Sequence, residues 1–383
     1  MAQGFILLVC LKPHYCKYIV SKIKHHIGVV GCGNISKAYL SCLADFPTVR
    51  VKAVTDIREK VARKQAEAYE VDYKSMDDLL GDPEIDVVLN LTIPSAHVEV
   101  GLQALEAGKH VYSEKPLALD VEEGNKLVKR AEELGLRVGC APDTFLGAGQ
   151  QTSRHVVESG QIGDVLSGTI FMLQAGPERW HPNPAFFYQY GGGPMMDMGP
   201  YYITTLVNLL GPVNAVTGHT KRGFEERVCG AGEYKGMRIP VEIPTHYTGV
   251  IEFASGAVIT ATLSFDVQAH QHRPIELYGS EGSLLVPDPN SFGNEISLKK
   301  ASEDSWESVS YTHHYSSNSR GIGLLEMLES IENGRKARCS GTLALHVLEV
   351  MKAFEKSSAS GQRELIECAV DRPSALPQHY QFT

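Results

Sequence analysis

The sequence predicts an α/β chain: a doubly wound parallel sheet on the N-terminal side, then a second α/β domain whose sheet is mainly antiparallel. Three observations predict it. Between Ile27 and Cys140, short β-rich runs alternate with amphipathic helical stretches, a spacing that requires crossover helices and therefore parallel strands. A Gly31-Cys32-Gly33 turn stands where the first strand meets the first helix. Beyond Pro142 the runs lengthen, and short glycine-containing connections join them, the texture of antiparallel hairpins.

Taken in order, His26 to Val30 is the first strand and Ile35 to Ala44 carries helical spacing. Val51 to Thr55 is a second strand, Glu59 to Tyr69 a charged, alanine-rich helix, and Asp77 to Leu80 a short one. Asp86 to Leu91 forms a third strand, and Val98 to Ala107 is a helix closed by Gly108, which suits a C-cap. His110 to Ser113, a helix from Val121 to Leu134 and a strand from Arg137 to Cys140 complete the alternation. In the second half, Gln151 to Ser159 is helical and Val165 to Leu173 is a strand. Thr248 to Phe253 and Ala257 to Phe265 make one hairpin through Ala254-Ser255-Gly256, and Glu276 to Gly279 with Gly282 to Val286 make another. The last clear helix is Gly341 to Ser357, with Leu343, Val347, Val350, Met351 and Phe354 on one face.

A chain of 383 residues exceeds one ordinary core and divides into two domains. The change of texture places them at 27–145 and 146–383, with 1–26 left as an extension. Phe5 to Leu11 is apolar but far short of the roughly 20 residues of a membrane span. No cation precedes it, as one would in a secretion signal. An extension outside the core, an added strand and an added helix all fit residues 1–26.

A net charge of −9 speaks against a nucleic-acid partner, which needs a basic footprint, and against an anionic membrane surface. Eight cysteines with no Cys-x-x-Cys pair read as thiols rather than a disulfide framework or zinc site, and a reducing cytoplasm is the simplest setting. His270 with His272 and His313 with His314 lack partners at metal-ligand spacing, so no metal is expected.

Gly31-Cys32-Gly33-Asn34-Ile35-Ser36 follows a strand and opens a helix. Glycine allows the tight turn, and then lets backbone amides at the helix terminus approach a pyrophosphate. Alone the pattern also fits an ordinary strand–helix turn; within the alternating strands and helices it matches the fingerprint of a Rossmann dinucleotide-binding unit, with Ser36 in place of its third glycine and looser helix–strand packing expected there. Asp56 ends the second strand, where a carboxylate accepts from ribose hydroxyls. It favours NAD by repelling the 2′-phosphate of NADP. Arg58 suits either an NADP phosphate or a solvated helix start.

Three further segments carry chemistry. Thr92-Ile93-Pro94-Ser95-Ala96-His97 and Glu114-Lys115-Pro116 both lie at carboxyl ends of parallel strands, where open α/β sheets bind ligands. Gly191-Gly192-Gly193 precedes Asp197 and Tyr201, which are four apart and share one helix face. Singly, Lys115 reads equally as a surface lysine, Asp197 as a helix cap and Tyr201 as a core aromatic. His97 reads as a structural or cofactor-side residue.

In that order these motifs resemble the glucose–fructose oxidoreductase / inositol dehydrogenase / MocA (Gfo/Idh/MocA) family over everything from about Ile27 to the last helix. The resemblance implies a Rossmann domain and an α/β domain with an open, mostly antiparallel sheet. It also implies NAD(P)-dependent hydride transfer to or from a small polyhydroxylated substrate: a sugar, cyclitol or glycoside. The cofactor would lie against Gly31, Gly33, Asn34, Ile35, Asp56, Arg58, Thr92, Pro94, His97, Glu114 and Lys115. Lys115 maps onto the family lysine that binds the substrate hydroxyl and assists proton transfer, and Asp197 onto the family aspartate that contacts substrate or the acid/base. Where many members carry histidine, this chain has Tyr201, as in the glucose–fructose oxidoreductase and dihydrodiol dehydrogenase branches; Tyr202 is an adjacent competitor. A nearby Lys115 cation is expected to lower the Tyr201 pKa toward that of a working base. Trp180 and His181, just upstream, are candidate substrate contacts, because a tryptophan face suits a sugar ring. The resemblance further implies a homodimer or homotetramer through the open sheet. Two other functions stay open: a dihydrodiol-type dehydrogenase with a more apolar substrate, and a dinucleotide-binding regulator without turnover.

Overall fold

The computed structural model describes residues 23–382, so residues 1–22 of the extension lie outside it. Six strands, β1 (His25–Val30), β2 (Val49–Thr55), β3 (Asp72–Tyr73), β4 (Val87–Asn90), β5 (His110–Ser113) and β6 (Val138–Cys140), form one sheet in the order β3-β2-β1-β4-β5-β6. Every pairing in it is parallel. The helices α1 (Ser36–Leu43), α2 (Glu59–Tyr69), α3 (Met76–Leu80), α4 (His97–Glu106) and α5 (Val121–Glu133) connect the strands. This is the doubly wound α/β arrangement, with Ile27, Val29, Val54, Val87 and Leu89 buried inside it. Because all six strands run the same way, Gly31, Asp56, Thr92 and Glu114 emerge along one edge, at the carboxyl ends of β1, β2, β4 and β5. His25 and His26 already belong to β1.

The second half opens with α6 (Ala148–Glu158) and β7 (Val165–Leu173), then the long helix α7 (Gly193–Leu210). Strands β8 (Val213–Lys221), β9 (Glu226–Val228), β10 (Arg238–Pro240), β11 (His246–Phe253), β12 (Val258–Ser264), β13 (Ile275–Gly279), β14 (Gly282–Val286), β15 (Ser297–Lys300) and β16 (Glu307–Ser308) follow. Helices α8 (Ile322–Glu332) and α9 (Gly341–Ser360) and the short β17 (Glu364–Leu365) end the chain. The large sheet runs β16-β15-β14-β13-β7-β12-β11-β8-β17. It is antiparallel except where β7 lies parallel to β12, and β9 with β10 forms a separate ribbon.

Both expected hairpins are present, β11–β12 and β13–β14. Helix α8 and strands β8, β9, β10, β15 and β16 carry no clean period in the sequence. One face of the large sheet is buried through Ile170, Met172, Ile259, Ala261, Leu263 and Ile251. On the other, Thr169, Phe171, Thr248, Val250, Thr260 and Thr262 stay partly or fully exposed. Among the described residues no helix is long and apolar enough to cross a membrane.

Candidate active site

The site begins at the turn after β1. Gly31 adopts φ +101°, and a Cβ there would stand 2.5 Å from the Leu91 carbonyl oxygen, so only glycine fits. At Gly33 a Cβ would meet no protein atom within 4 Å. That open space faces the start of α1, where Asn34 is exposed and Ile35 is the N-cap. Free amides before a cleared surface are what a pyrophosphate requires, so the residues present fit a dinucleotide. Contrary to expectation, Ser36 does not loosen the packing. It is fully buried; its hydroxyl donates to the Gly33 carbonyl at 2.7 Å and accepts from Gln65 at 3.2 Å.

Asp56 closes the next part of the edge. Its Oδ2 accepts from the Cys32 amide and its Oδ1 from the Arg58 amide, each at 2.8 Å. The Arg58 side chain turns back onto the same carboxylate at 3.3 Å. Two oxygens fixed by amides keep acceptor capacity for ribose hydroxyls. Between these residues, Ile57 is fully exposed, and Ile93 beyond β4 is 68% exposed; both offer apolar surface on the rim. The Cys32 thiol, pushed up to about 12 by burial and by Asp56, stays protonated.

After β4, Asn90 organises the turn: its Oδ1 accepts from the Thr92 hydroxyl at 2.6 Å, and its Nδ2 donates to the His97 carbonyl at 3.0 Å. Pro94 opens a short turn over Pro94–Ala96. His97 does not open onto the cleft, which corrects its place among the cofactor contacts. It is wholly buried, with Nδ1 2.7 Å from the Pro116 carbonyl and Nε2 3.1 Å from the Thr92 carbonyl. Burial holds it below the usual histidine pKa, and the neutral ring, with a single N–H, donates to one of these two carbonyls.

Glu114 likewise looks inward. Its Oε1 accepts from the Tyr39 hydroxyl of α1 at 2.7 Å, and its Oε2 from the Lys115 amide at 3.0 Å. That leaves Lys115 directed across the cleft. Its Nζ donates to Asp197 Oδ1 at 2.8 Å and to the Asp197 carbonyl at 2.6 Å. The same ammonium stands 5.2 Å from the centre of the Tyr201 ring. Asp197 and Tyr201 sit on one face of α7, whose first residue, Gly193, has φ +85°. Tyr202 points elsewhere, with its hydroxyl on the Phe171 carbonyl at 3.3 Å.

Electrostatics assign the protons. Burial opposes a charge on Lys115, but Asp197, Tyr201 and Glu114 outweigh it and hold the lysine charged, above its ordinary pKa. Tyr201 is not lowered overall, contrary to expectation. Burial pushes the phenol up, and the downward pull of Lys115 and Arg320 offsets this only in part. Arg320 had no signature in the sequence. It precedes α8, a helix with no clear period in the sequence, and stands close enough to Tyr201 for its charge to favour the phenolate.

Trp180 and His181 are gathered into an aromatic group rather than onto the lysine. Trp180 meets His181 edge-on at 5.5 Å, and His181 meets Phe186 and Phe187 at 5.4 and 5.2 Å. A cavity of 690 Å³ lies apart from this edge, among Val128, Arg137, Arg338, Thr342, Val370 and Arg372. Its lining includes none of the residues at the carboxyl ends of the parallel strands, so convergent chemistry rather than volume locates the site. Among the described residues no three histidine, cysteine or acidic side chains are grouped to hold a metal.

Comparison with known proteins agrees in both halves. The model of an oxidoreductase family with an NAD-binding Rossmann fold matches residues 25–141, and that of the GFO/IDH/MocA C-terminal domain matches residues 150–285. The chain belongs to the Gfo/Idh/MocA family. It is an oxidoreductase with an NAD-binding Rossmann domain. Its relatives in the family include a 1,5-anhydro-D-fructose reductase of Ensifer adhaerens, 26% identical over 303 residues, 76% of this chain and 83% of that protein. A trans-1,2-dihydrobenzene-1,2-diol dehydrogenase of Danio rerio is 27% identical over 295 residues, 72% of this chain and 86% of that protein. A levoglucosan dehydrogenase solved with NADH and levoglucosan shares the fold at a TM-score of 0.77. That pair is 23% identical, over 90% of this chain and 100% of the other.

Proposed function

We propose that this Gfo/Idh/MocA protein interconverts a secondary hydroxyl and a carbonyl on a sugar, cyclitol or glycoside with NAD, and that Lys115 and Tyr201 manage the proton. The observation that carries this is the Lys115 ammonium, fixed by Asp197 and placed beside the Tyr201 ring at the edge that holds the glycine turn. The names of the reductase and of the levoglucosan complex, both concerned with small polyhydroxylated rings, support the substrate class. Gly31, Gly33, Asn34, Ile35 and Asp56 would hold the dinucleotide, whose nicotinamide supplies or accepts hydride at the substrate carbon.

The chain's own groups do the rest. Lys115 donates to the substrate oxygen, favouring negative charge there. In reduction the Tyr201 phenol gives its proton to that oxygen; in oxidation the phenolate takes it back. Asp197 keeps the lysine extended across the cleft. A phenol held above its ordinary pKa suits the reductive direction at neutral pH.

One observation also admits a second substrate class. Trp180, Phe186 and Tyr190 are 62%, 51% and 66% exposed just before Gly191, an apolar surface that suits a diol such as the Danio rerio enzyme's as well as a sugar face. The partly exposed threonine-rich sheet face would pair two copies of the chain.

A panel of levoglucosan, 1,5-anhydro-D-fructose, myo-inositol and trans-1,2-dihydrobenzene-1,2-diol, run with NAD(H) and NADP(H), tests the reading. Turnover of a polyhydroxylated member with NAD(H) is expected. Turnover of the diol alone supports the second class. Cofactor binding with no turnover of any compound would leave a regulator.

A further inference from the structure

The start of α8 is held in place by a side chain that follows the parallel sheet. Asp143 lies on the segment after β6 and is 1% exposed. Its Oδ2 accepts from the Gly321 amide at 2.7 Å and from the Gly323 amide at 3.1 Å, the groups that open α8. The residue just before them is Arg320. Its Nη2 donates to Asn290 Oδ1 at 2.8 Å and its Nη1 to Asn318 Oδ1 at 2.9 Å. The guanidinium carbon stands 5.9 Å from the centre of the Phe292 ring. The guanidinium so braced stands close enough to the Tyr201 phenol for its charge to favour the phenolate.

We infer that Asp143 and Arg320 are a positioning pair for proton transfer at Tyr201: the carboxylate caps the amides after Arg320 and thereby fixes where the guanidinium stands beside the Tyr201 phenol. The inference rests on the Lys115–Tyr201 reading above. In oxidation the substrate O–H breaks, its proton joins the Tyr201 oxygen, and hydride leaves the same carbon for the nicotinamide. In reduction the Tyr201 O–H breaks instead, and the phenolate is reprotonated from water. Either way Tyr201 bears a negative charge on one side of the step.

Four groups face that charge: Lys115 and Glu114 beyond β5, Arg320 before α8, and Tyr39 of α1. Lys115 and Arg320 favour the phenolate and Glu114 opposes it. Without Arg320, Lys115 alone offsets Glu114 and burial. The guanidinium is also a rigid planar fork, so a small drift of the α8 terminus breaks its alignment.

The test is the pH dependence of oxidation with NAD and the fastest panel substrate. On the rising limb, Arg320→Gln is expected to displace log kcat by about one pH unit to the alkaline side, about tenfold slower at each pH, with NADH affinity unchanged. Arg320→Lys returns most of the rate. Asp143→Ala reproduces the displacement, and the Asp143→Ala/Arg320→Gln double variant adds nothing to it. Asp143→Asn, which keeps an acceptor for the two amides, recovers most of it.

A tyrosinate absorbance titration, wild type minus Tyr201→Phe, needs no substrate and shifts in the same direction in Arg320→Gln. An Arg320→Gln protein that binds NADH but shows neither displacement overturns the inference. If that variant does not fold, equal pH profiles for Asp143→Ala and wild type overturn it instead. Wild-type turnover in Tyr201→Phe sinks the underlying proton-transfer reading, and the absorbance titration then decides the Arg320 contact alone.

Discussion

The Lys115 ammonium is held by two oxygens of Asp197, Oδ1 at 2.8 Å and the main-chain carbonyl at 2.6 Å, one helical turn before Tyr201. The relationship joins two motifs 82 residues apart in the chain. It fixes the lysine in the cleft while leaving it a donor hydrogen for a substrate oxygen.

Lys115→Ala removes that donor and the cation beside Tyr201. Turnover is expected to fall by about 10²–10⁴-fold, the usual contribution of a positioned proton-transfer group. NADH affinity, followed by fluorescence titration, should change far less. Asp197→Asn should be milder, because Lys115 keeps the main-chain oxygen. A Lys115→Ala protein with nearly normal turnover would remove lysine from the proposal.

The pH profile follows from the sign of the Tyr201 shift. Its phenol lies above the ordinary value because burial outweighs the nearby cations, so it carries its proton throughout the neutral range. Reductive kcat should therefore be flat near neutrality. Oxidative kcat, which needs the phenolate, should climb about tenfold per pH unit below the pKa. An oxidative rate that levels off near neutrality would contradict this.

Cofactor choice turns on Asp56. Its carboxylate accepts from the Cys32 and Arg58 amides and engages the Arg58 side chain. Asp56→Ser should cost NAD a charge-assisted bond of about 1.5–3 kcal/mol, tenfold or more in affinity. It should also free Arg58 to meet the 2′-phosphate of NADP. The ratio of kcat/KM for the two cofactors measures this, and an unchanged ratio would place the ribose elsewhere.

Gly31→Ala forces a methyl to within 2.5 Å of the Leu91 carbonyl at φ +101°. A loss of about 1–3 kcal/mol is expected, together with weaker NADH binding. Gly33→Ala meets no protein atom; it should unfold like the wild type yet bind NADH poorly. Thermal unfolding with and without NADH separates the two effects.

Asp143 gives a stability prediction with an unusual sign. Burial raises its carboxyl from 3.8 to about 6, despite the Gly321 and Gly323 amides. The folded state thus holds the proton more tightly than the unfolded one. This group's contribution is fully present below about pH 4 and is lost as pH rises through about 6, a swing of about 3 kcal/mol. Asp143→Asn should therefore unfold at higher temperature than the wild type at neutral pH, with the gap closing near the unfolded carboxyl's pKa. A pH-independent difference would contradict it.

The parallel half was legible because its strands are buried on both faces and its helices amphipathic, so most of its strands announce themselves as apolar runs. The Gly31 turn, Glu114-Lys115-Pro116 and the Asp197–Tyr201 spacing were legible for the same local reason: each depends on neighbours in sequence. What stayed hidden is tertiary. Helix α8 is buried at Ile322, Leu324, Leu325, Glu326, Met327 and Leu328, so it shows little polar face and no clear period. Arg320, at its start, gains meaning only from Asp143, far earlier in the chain, and from Tyr201. The sign of the Tyr201 shift was hidden too, since a neighbouring lysine can be guessed from motifs but the depth of burial cannot. His97 reads as a cofactor-side imidazole in sequence and proves to be an internal tie, because both ring nitrogens face carbonyl oxygens.

In the proposed reaction Tyr201 exchanges the proton with substrate beside Lys115. Steady-state turnover of the Tyr201→Phe protein with NAD(H) and the best panel substrate tests it most directly, alongside an NADH titration of the same sample. Phenylalanine keeps the ring and its packing and removes only the hydroxyl. The expected kcat is lower by about 10²-fold or more, with an NADH isotherm that overlays the wild type's; wild-type turnover in that protein would rule out Tyr201 as the proton-transfer group.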